Sequence, residues 1–148
     1  MYEPLTQRVS QDVVVILQDG GERGAVRRAV RMQVIDALGQ VEVTAVSVQQ
    51  IAYAAMRGSF QAAEQTGVAI EIVGEEASAG VLEAVKEKDG TATSHEQGAI
   101  RGTIEAVEEY AATLREKASE LAEKSRKALQ SLVERLKTSL QGSGGGSR

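Results

Sequence analysis

Small and apolar residues recur at alternating spacings of four and three through the C-terminal third of the chain. This heptad pattern is typical of an α-helix that packs along one seam against another helix. It predicts one long amphipathic helix over residues 94–141, opened by a capping box from Ser94 to Gln97 and closed at Gly142. Besides Ser125, the seam consists of the candidate interface residues Ile100, Ile104, Val107, Ala111, Leu114, Ala118, Leu121, Ala128 and Leu132.

The length of this predicted helix argues for a partner. It would be about 70 Å long, whereas a compact chain of this size is only about 38 Å across. The helix would therefore extend beyond the body that the other residues form. We expect it to pack partly on that body and partly on a helix of a second copy or of another helical protein, most simply in a homodimer.

Residues 1–93 are expected to form a helical bundle, so the predicted fold class is all-α, with four shorter helices and a long, coiled-coil-like C-terminal helix. The shorter helices are expected at 4–18, 22–38, 45–66 and 74–88. Two segments also fit a strand: Val13–Ile16 is β-branched, and Val68–Val73 alternates but could equally be the first turns of the fourth helix. Residues 142–148, rich in Gly and Ser, are expected to be a flexible tail.

Three glycines lie inside predicted helices at a constant separation. Gly58, Gly80 and Gly102 are 22 residues apart, within similar blocks such as Arg57-Gly58-Ser59 and Arg101-Gly102-Thr103. A glycine inside a helix costs about 1 kcal/mol relative to alanine. Its repeated use at one phase predicts positions at which a neighbouring helix approaches closely.

These blocks, together with the echo of Gly24–Arg27 in Gly98–Arg101, resemble an uncharacterised bacterial family of glycine- and alanine-rich helical repeats. The resemblance covers mainly residues 44–67 and 98–110, and it implies a helical repeat fold without implying an activity. More loosely, the Ala-, Glu- and Lys-rich residues 94–141 are similar to phasins, the proteins that coat storage granules.

Charge and composition exclude several classes of partner. The formal net charge is −4, and the aromatic residues are too sparse to interleave with basic ones, so we expect no nucleic-acid partner. The longest uncharged run, residues 43–56, is shorter than the roughly 20 apolar residues that a transmembrane span needs. The chain has no cysteine, and its start lacks the basic and apolar regions of a secretory signal. We therefore expect a cytoplasmic protein.

Charged residues are unevenly distributed along the chain. Residues 58–112 carry eleven acids against three bases, whereas residues 113–137 carry seven bases against four acids. Four arginines near the second predicted helix form a possible patch for an anionic partner: Arg23, Arg27, Arg28 and Arg31. The alternative is that they form an ordinary solvated helix face.

The residues that could support chemistry are few. His95 is the only histidine, which excludes a histidine-rich zinc site, and the lack of cysteine excludes a thiol nucleophile. We therefore expect no metal, no cofactor and no enzymatic activity. The sequence favours a structural or scaffolding protein that acts through helix–helix self-association. The alternative is a peripheral protein that lies on a granule or lipid surface through its amphipathic C-terminal helix.

Overall fold

A computed structural model describes residues 2–22, 24–89, 93–117 and 119–145, and these residues form an all-helical fold. Six helices are present in this part of the chain: α1 (Glu3–Gln18), α2 (Ala25–Leu38), α3 (Ala45–Thr66), α4 (Ile70–Asp89), α5 (Thr93–Arg115) and α6 (Glu120–Gly145). The all-α prediction is thus confirmed, whereas the division into four short helices and one long C-terminal helix is wrong.

The helices form three stacked hairpins, α1–α2, α3–α4 and α5–α6. Odd-numbered helices pack side by side in a first layer, and even-numbered helices pack side by side in a second. Within each layer the helices run parallel, because contacting residue numbers rise together. In the first layer Gly98 lies against Ala45 and Gly102 against Gln49; in the second, Gly24 bonds to Glu76 and Arg31 to Glu87. This is the arrangement of α-solenoid repeats.

The predicted long helix is broken between Arg115 and Glu120, so that α6 folds back along α5. The sequence contains a helix start inside the heptad pattern: the Ser119 hydroxyl accepts a hydrogen bond from the Ala122 N–H at 3.1 Å, and Glu120 and Glu123 lie in the first turn of α6. Serine is a favoured N-cap, and acidic residues stabilise a helix N-terminus. Most of the described residues of the apolar seam are therefore buried within the chain.

Other boundaries differ less from the expectations. Val13–Ile16 is helical, within α1, and Val68–Val73 becomes the first turns of α4 from Ile70 onward. The predicted cap at Ser94 is wrong because Thr93 is already helical, and Gly142 does not stop α6, which continues to Gly145. The rest of the predicted tail, 146–148, lies outside the described residues.

The α3 boundaries match the sequence prediction. The Thr44 side chain accepts a hydrogen bond from the Ser47 N–H at 3.0 Å, and the Ser47 hydroxyl accepts one from the Thr44 N–H at 2.9 Å, which forms a capping box. At the other end Gly67 adopts a left-handed conformation with φ of 75°. A left-handed residue is best supplied by glycine, which explains why the helix ends there.

Each of the three regularly spaced glycines faces the helix two positions earlier in the chain. A Cβ at Gly58 of α3 would meet the Thr6 carbonyl of α1, and a Cβ at Gly80 of α4 would lie 2.5 Å from the Arg27 carbonyl oxygen of α2. A Cβ at Gly102 of α5 would meet the Gln49 carbonyl of α3. Real Cβ atoms do not approach backbone atoms so closely, so these three interfaces require glycine.

The core combines small side chains with one large aromatic group. Alanine and valine dominate the buried positions, and Phe60, at 2% exposure, stacks on Tyr110 with ring centroids 5.0 Å apart. Phe60 also lies beside Gly74 of α4. The close backbone approaches and this aromatic stack together set the register of the first layer.

Candidate functional site

A groove of about 430 Å³ lies on the outer face of the first layer, and we call it the α3 groove. Its floor is α3, which contributes Val46, Gln49, Gln50, Tyr53 and Arg57. One side is formed by the start of α1 with Tyr2, Glu3 and Thr6, and the other by Glu105 of α5. All three helices of the layer therefore contribute to one concave surface.

The α3 side chains reach the groove because they share one stripe of the helix. Val46, Gln49, Tyr53 and Arg57 are separated by three and four residues, and such positions face the same side of a helix. The Val46 side chain, on the first turn, is 64% exposed, which is unusual for a valine beside a packed core. Met56 and Phe60, further along the same helix, are buried, so the helical spacing of α3 alone does not reveal which of its apolar residues are exposed.

Several polar groups in the groove have no partner within the described part of the chain. The side-chain amides of Gln49 and Gln50 form no hydrogen bond with another described residue, and the Glu105 carboxylate forms neither a hydrogen bond nor an ion pair there. By contrast, Arg57 is paired with Glu3 at 3.3 Å across the groove. The unpartnered groups supply donors, acceptors and one negative charge to whatever enters the groove.

Two tyrosine–glutamate hydrogen bonds join α3 to α5 beside the groove. The Tyr53 hydroxyl of α3 donates to Glu109 of α5, with oxygens at 2.7 and 2.8 Å, and the Tyr110 hydroxyl of α5 donates in return to Glu64 of α3. Burial, the hydrogen bond to Glu109 and the charge of that carboxylate raise the pKa of Tyr53 to about 12. Burial and the bond to Glu64 also raise the pKa of Tyr110. Both hydroxyls therefore remain neutral donors at physiological pH, and they fix the shape of the groove wall.

The candidate interface residues of the predicted seam lie mostly in the interior. Those of α5 are buried (Ile100, Ile104, Val107, Ala111, Leu114), as is Leu132 of α6, whereas Ala128 is half-buried and Leu121 is 73% exposed. Ala118 lies outside the described residues. Most of the seam thus packs within the chain, and Leu121, its one strongly exposed member among the described residues, lies on the first turn of α6.

The arginines of the predicted anionic-partner patch face acids of the same chain. Arg27 pairs with Glu83 at 3.5 Å, Arg31 with Glu87 at 2.9 Å and Arg28 with Glu22 at 3.5 Å, while Arg23 lies outside the described residues. The first two pairs bridge α2 to α4. They are exposed pairs, which contribute only about 0.2–1 kcal/mol each, so they set register more than stability.

The described residues contain neither a cluster suited to a metal ion nor a helix that could cross a membrane. No group of three or more acidic or histidine side chains among them is arranged to hold a metal ion. None of the described helices combines the length and apolar character that crossing a membrane requires.

Comparison with known proteins gives no relative. No known protein-family model matches this chain, no curated protein matches its sequence, and no solved structure matches its fold. The resemblance to glycine- and alanine-rich helical repeats therefore depends on the sequence blocks alone.

Proposed function

We propose that this protein is a non-enzymatic scaffolding protein that binds a segment of another protein chain in the α3 groove. The observation that supports this function is a set of side chains without a partner among the described residues: an exposed Val46, the side-chain amides of Gln49 and Gln50, and the carboxylate of Glu105. They stand on α3 and α5, whose backbones come into close contact at Gly98 and Gly102, so the surface is pre-formed. A pre-formed surface pays little conformational entropy on binding.

Self-association through a free helical seam has less support than the sequence suggested. Such self-association requires solvent-exposed apolar residues in the C-terminal third, and most of those described pack inside the chain. Adsorption to a granule or lipid surface also has less support, because Leu121 is the one large apolar side chain of α6 that is strongly exposed among the described residues. An interfacial helix needs a broad apolar face.

Selection from a displayed library of random peptides tests the proposal. Peptides enriched on the wild-type protein are then measured for affinity to Val46→Ser and to a matched control, Ile72→Ser. Val46 and Ile72 are similarly exposed, at 64% and 56%, and both lie in the first turn of a helix, but Ile72 is outside the groove. Serine, valine and isoleucine have similar helix propensities, so neither substitution should unfold its helix.

We expect binding to Val46→Ser to be about tenfold weaker, because losing the burial of a valine side chain costs about 1.5 kcal/mol. The Ile72→Ser variant should bind as the wild type does. The proposal fails if no peptide is enriched, or if the enriched peptides bind equally well to Val46→Ser.

A further inference from the structure

We infer that the α3 groove selects an extended, cationic segment, with a lysine or arginine side chain opposite Glu105 and its main chain against the amides of Gln49 and Gln50. This inference rests on the proposed function and specifies the chemistry of the partner. It follows from three properties of the groove: its charge, its hydrogen-bonding groups and its length.

The charge of the groove is unbalanced. Arg57 is matched by Glu3 across the groove, and among the described residues no cation lies within ion-pair distance of the exposed Glu105 carboxylate. Arg101, one turn earlier on α5, forms no ion pair with it. The rings of Tyr2 and Tyr53 line the same groove, and aromatic faces attract cations. A cationic side chain is therefore the group that complements this surface, and an acidic one would be repelled.

The free amides favour an extended main chain over a helix. A side-chain amide both donates and accepts hydrogen bonds, as a peptide group does. An extended segment exposes unpaired N–H and C=O groups along its length, whereas a helix satisfies nearly all of them internally. Gln49 and Gln50 can therefore bond to an extended segment but would gain little from the backbone of a docked helix.

The length of the stripe limits the segment. Val46 and Arg57 are eleven residues apart on α3, which corresponds to about 16 Å along the helix axis. An extended chain rises about 3.3 Å per residue, so the groove holds roughly five residues. An apolar side chain of the bound segment can cover Val46 at one end of the groove while a basic side chain of the same segment reaches Glu105.

The test of the charge uses two substitutions on the same protein. Peptide selections are run in parallel on wild type, on Glu105→Lys and on Glu134→Lys. Glu134 is an exposed glutamate of α6 outside the groove, so its replacement changes the net charge by the same amount without altering the groove. Fluorescence anisotropy then gives the affinity of each enriched peptide for all three proteins.

We expect peptides from the wild type and from Glu134→Lys to be enriched in lysine and arginine. Their binding to Glu105→Lys should be at least tenfold weaker, and replacing their basic residue by glutamate should restore binding to that variant. Binding should also weaken as salt is raised. A helical version of the same peptide, cross-linked between positions i and i+4, should bind more weakly than the linear one.

The outcomes separate this inference from the proposed function. Enriched peptides that are neutral or acidic, yet depend on Val46, would leave the groove as a binding site and overturn its cationic selectivity. Equal binding to Glu105→Lys, or tighter binding of the helical peptide, would also overturn the inference. A selection that enriches nothing would overturn both.

Discussion

Helix α4 has a neighbour on each side in the second layer. Its contact with α2 involves backbone atoms, whereas its contact with α6 is made by side chains. Towards α2, Gly80 brings the α4 backbone against the backbone of Arg27 and Arg31. Towards α6, the glycine on α4 is Gly74, and it meets the Leu129 side chain and not a backbone atom. The α2–α4 interface is accordingly more extensive than the α4–α6 interface.

The difference shows what the regularly spaced glycines do. Gly58, Gly80 and Gly102 each lie on the later helix of a parallel pair and admit the earlier helix to backbone contact. Continuing the spacing by 22 residues would reach Lys124 of α6, where no glycine stands. The last helix of the second layer therefore has to be held by side chains, chiefly by Leu129 and by the polar pairs Ser125–Glu71 and Arg135–Glu75.

The largest expected effect is at the side-chain contact. Leu129 is fully buried, so Leu129→Ala should lower the free energy of unfolding by about 2–5 kcal/mol, measured by urea denaturation with circular dichroism. Leu121→Ala is the matched control, because the same deletion at a 73% exposed leucine should change stability little. Equal losses would contradict the burial of α6 against the stack.

The backbone contact is tested by Gly80→Ala. Alanine would gain about 1 kcal/mol in helix propensity, but its Cβ would lie 2.5 Å from a carbonyl oxygen that cannot move without shifting α2. We expect a net loss of about 1–3 kcal/mol by the same denaturation measurement. Gly39→Ala serves as control, since its nearest neighbour would be at an ordinary 3.4 Å. A more stable Gly80→Ala variant would show that α2 and α4 do not touch there.

The first layer also contains the two tyrosine–glutamate hydrogen bonds. Removing one of them with Tyr53→Phe should lower the free energy of unfolding by about 1 kcal/mol at neutral pH. The pKa of Tyr53 is raised from 10.0 to about 12, so its neutral form is favoured in the fold. Its stabilising effect is fully present below pH 10 and is lost as pH rises towards 12. The wild type should thus lose more stability over this range than Tyr53→Phe, as urea denaturation at several pH values would show. Identical pH dependence would contradict the bond, and Tyr2→Phe is the control.

The smallest effect is expected at Gly74. A Cβ there would lie 3.1 Å from Phe60 and 3.5 Å from Leu129, and both neighbours are the ends of side chains that can adjust. Gly74→Ala should therefore change the free energy of unfolding by less than about 1 kcal/mol, because the helix-propensity gain offsets the repacking. A loss as large as that of Gly80→Ala would remove the distinction between the two interfaces.

Local signals in the sequence were sufficient for much of the fold. The sequence predicted a helix over 45–66, and in the structure Thr44 caps the start of α3 and Gly67 ends it. Such signals can be recognised because a cap and a left-handed glycine act within a few residues. The glycine spacing likewise pointed to close approach before any neighbour was known. The helix chosen for Val13–Ile16 over a buried strand is also correct.

The predicted long C-terminal helix was wrong because the heptad pattern was given more weight than a local helix-start signal. The heptad spacing runs through residues 116–119 without interruption, yet Ser119 with Glu120 and Glu123 is a helix start. A seam can be buried equally well by a partner molecule or by the same chain folding back, and periodicity does not distinguish the two. The α3 groove was missed for a related reason: whether Val46 or Met56 faces solvent depends on where α1 and α5 lie, which α3 alone cannot reveal.

The placement of the glycines also bears on how the chain acquires its fold during synthesis. Each of Gly58, Gly80 and Gly102 belongs to the later helix of its pair, so the surface that it requires has already been made when it leaves the ribosome. Domains and repeats generally fold from the N-terminus as they are synthesised. Each later helix hairpin of this protein can therefore dock on the preceding one as soon as it emerges.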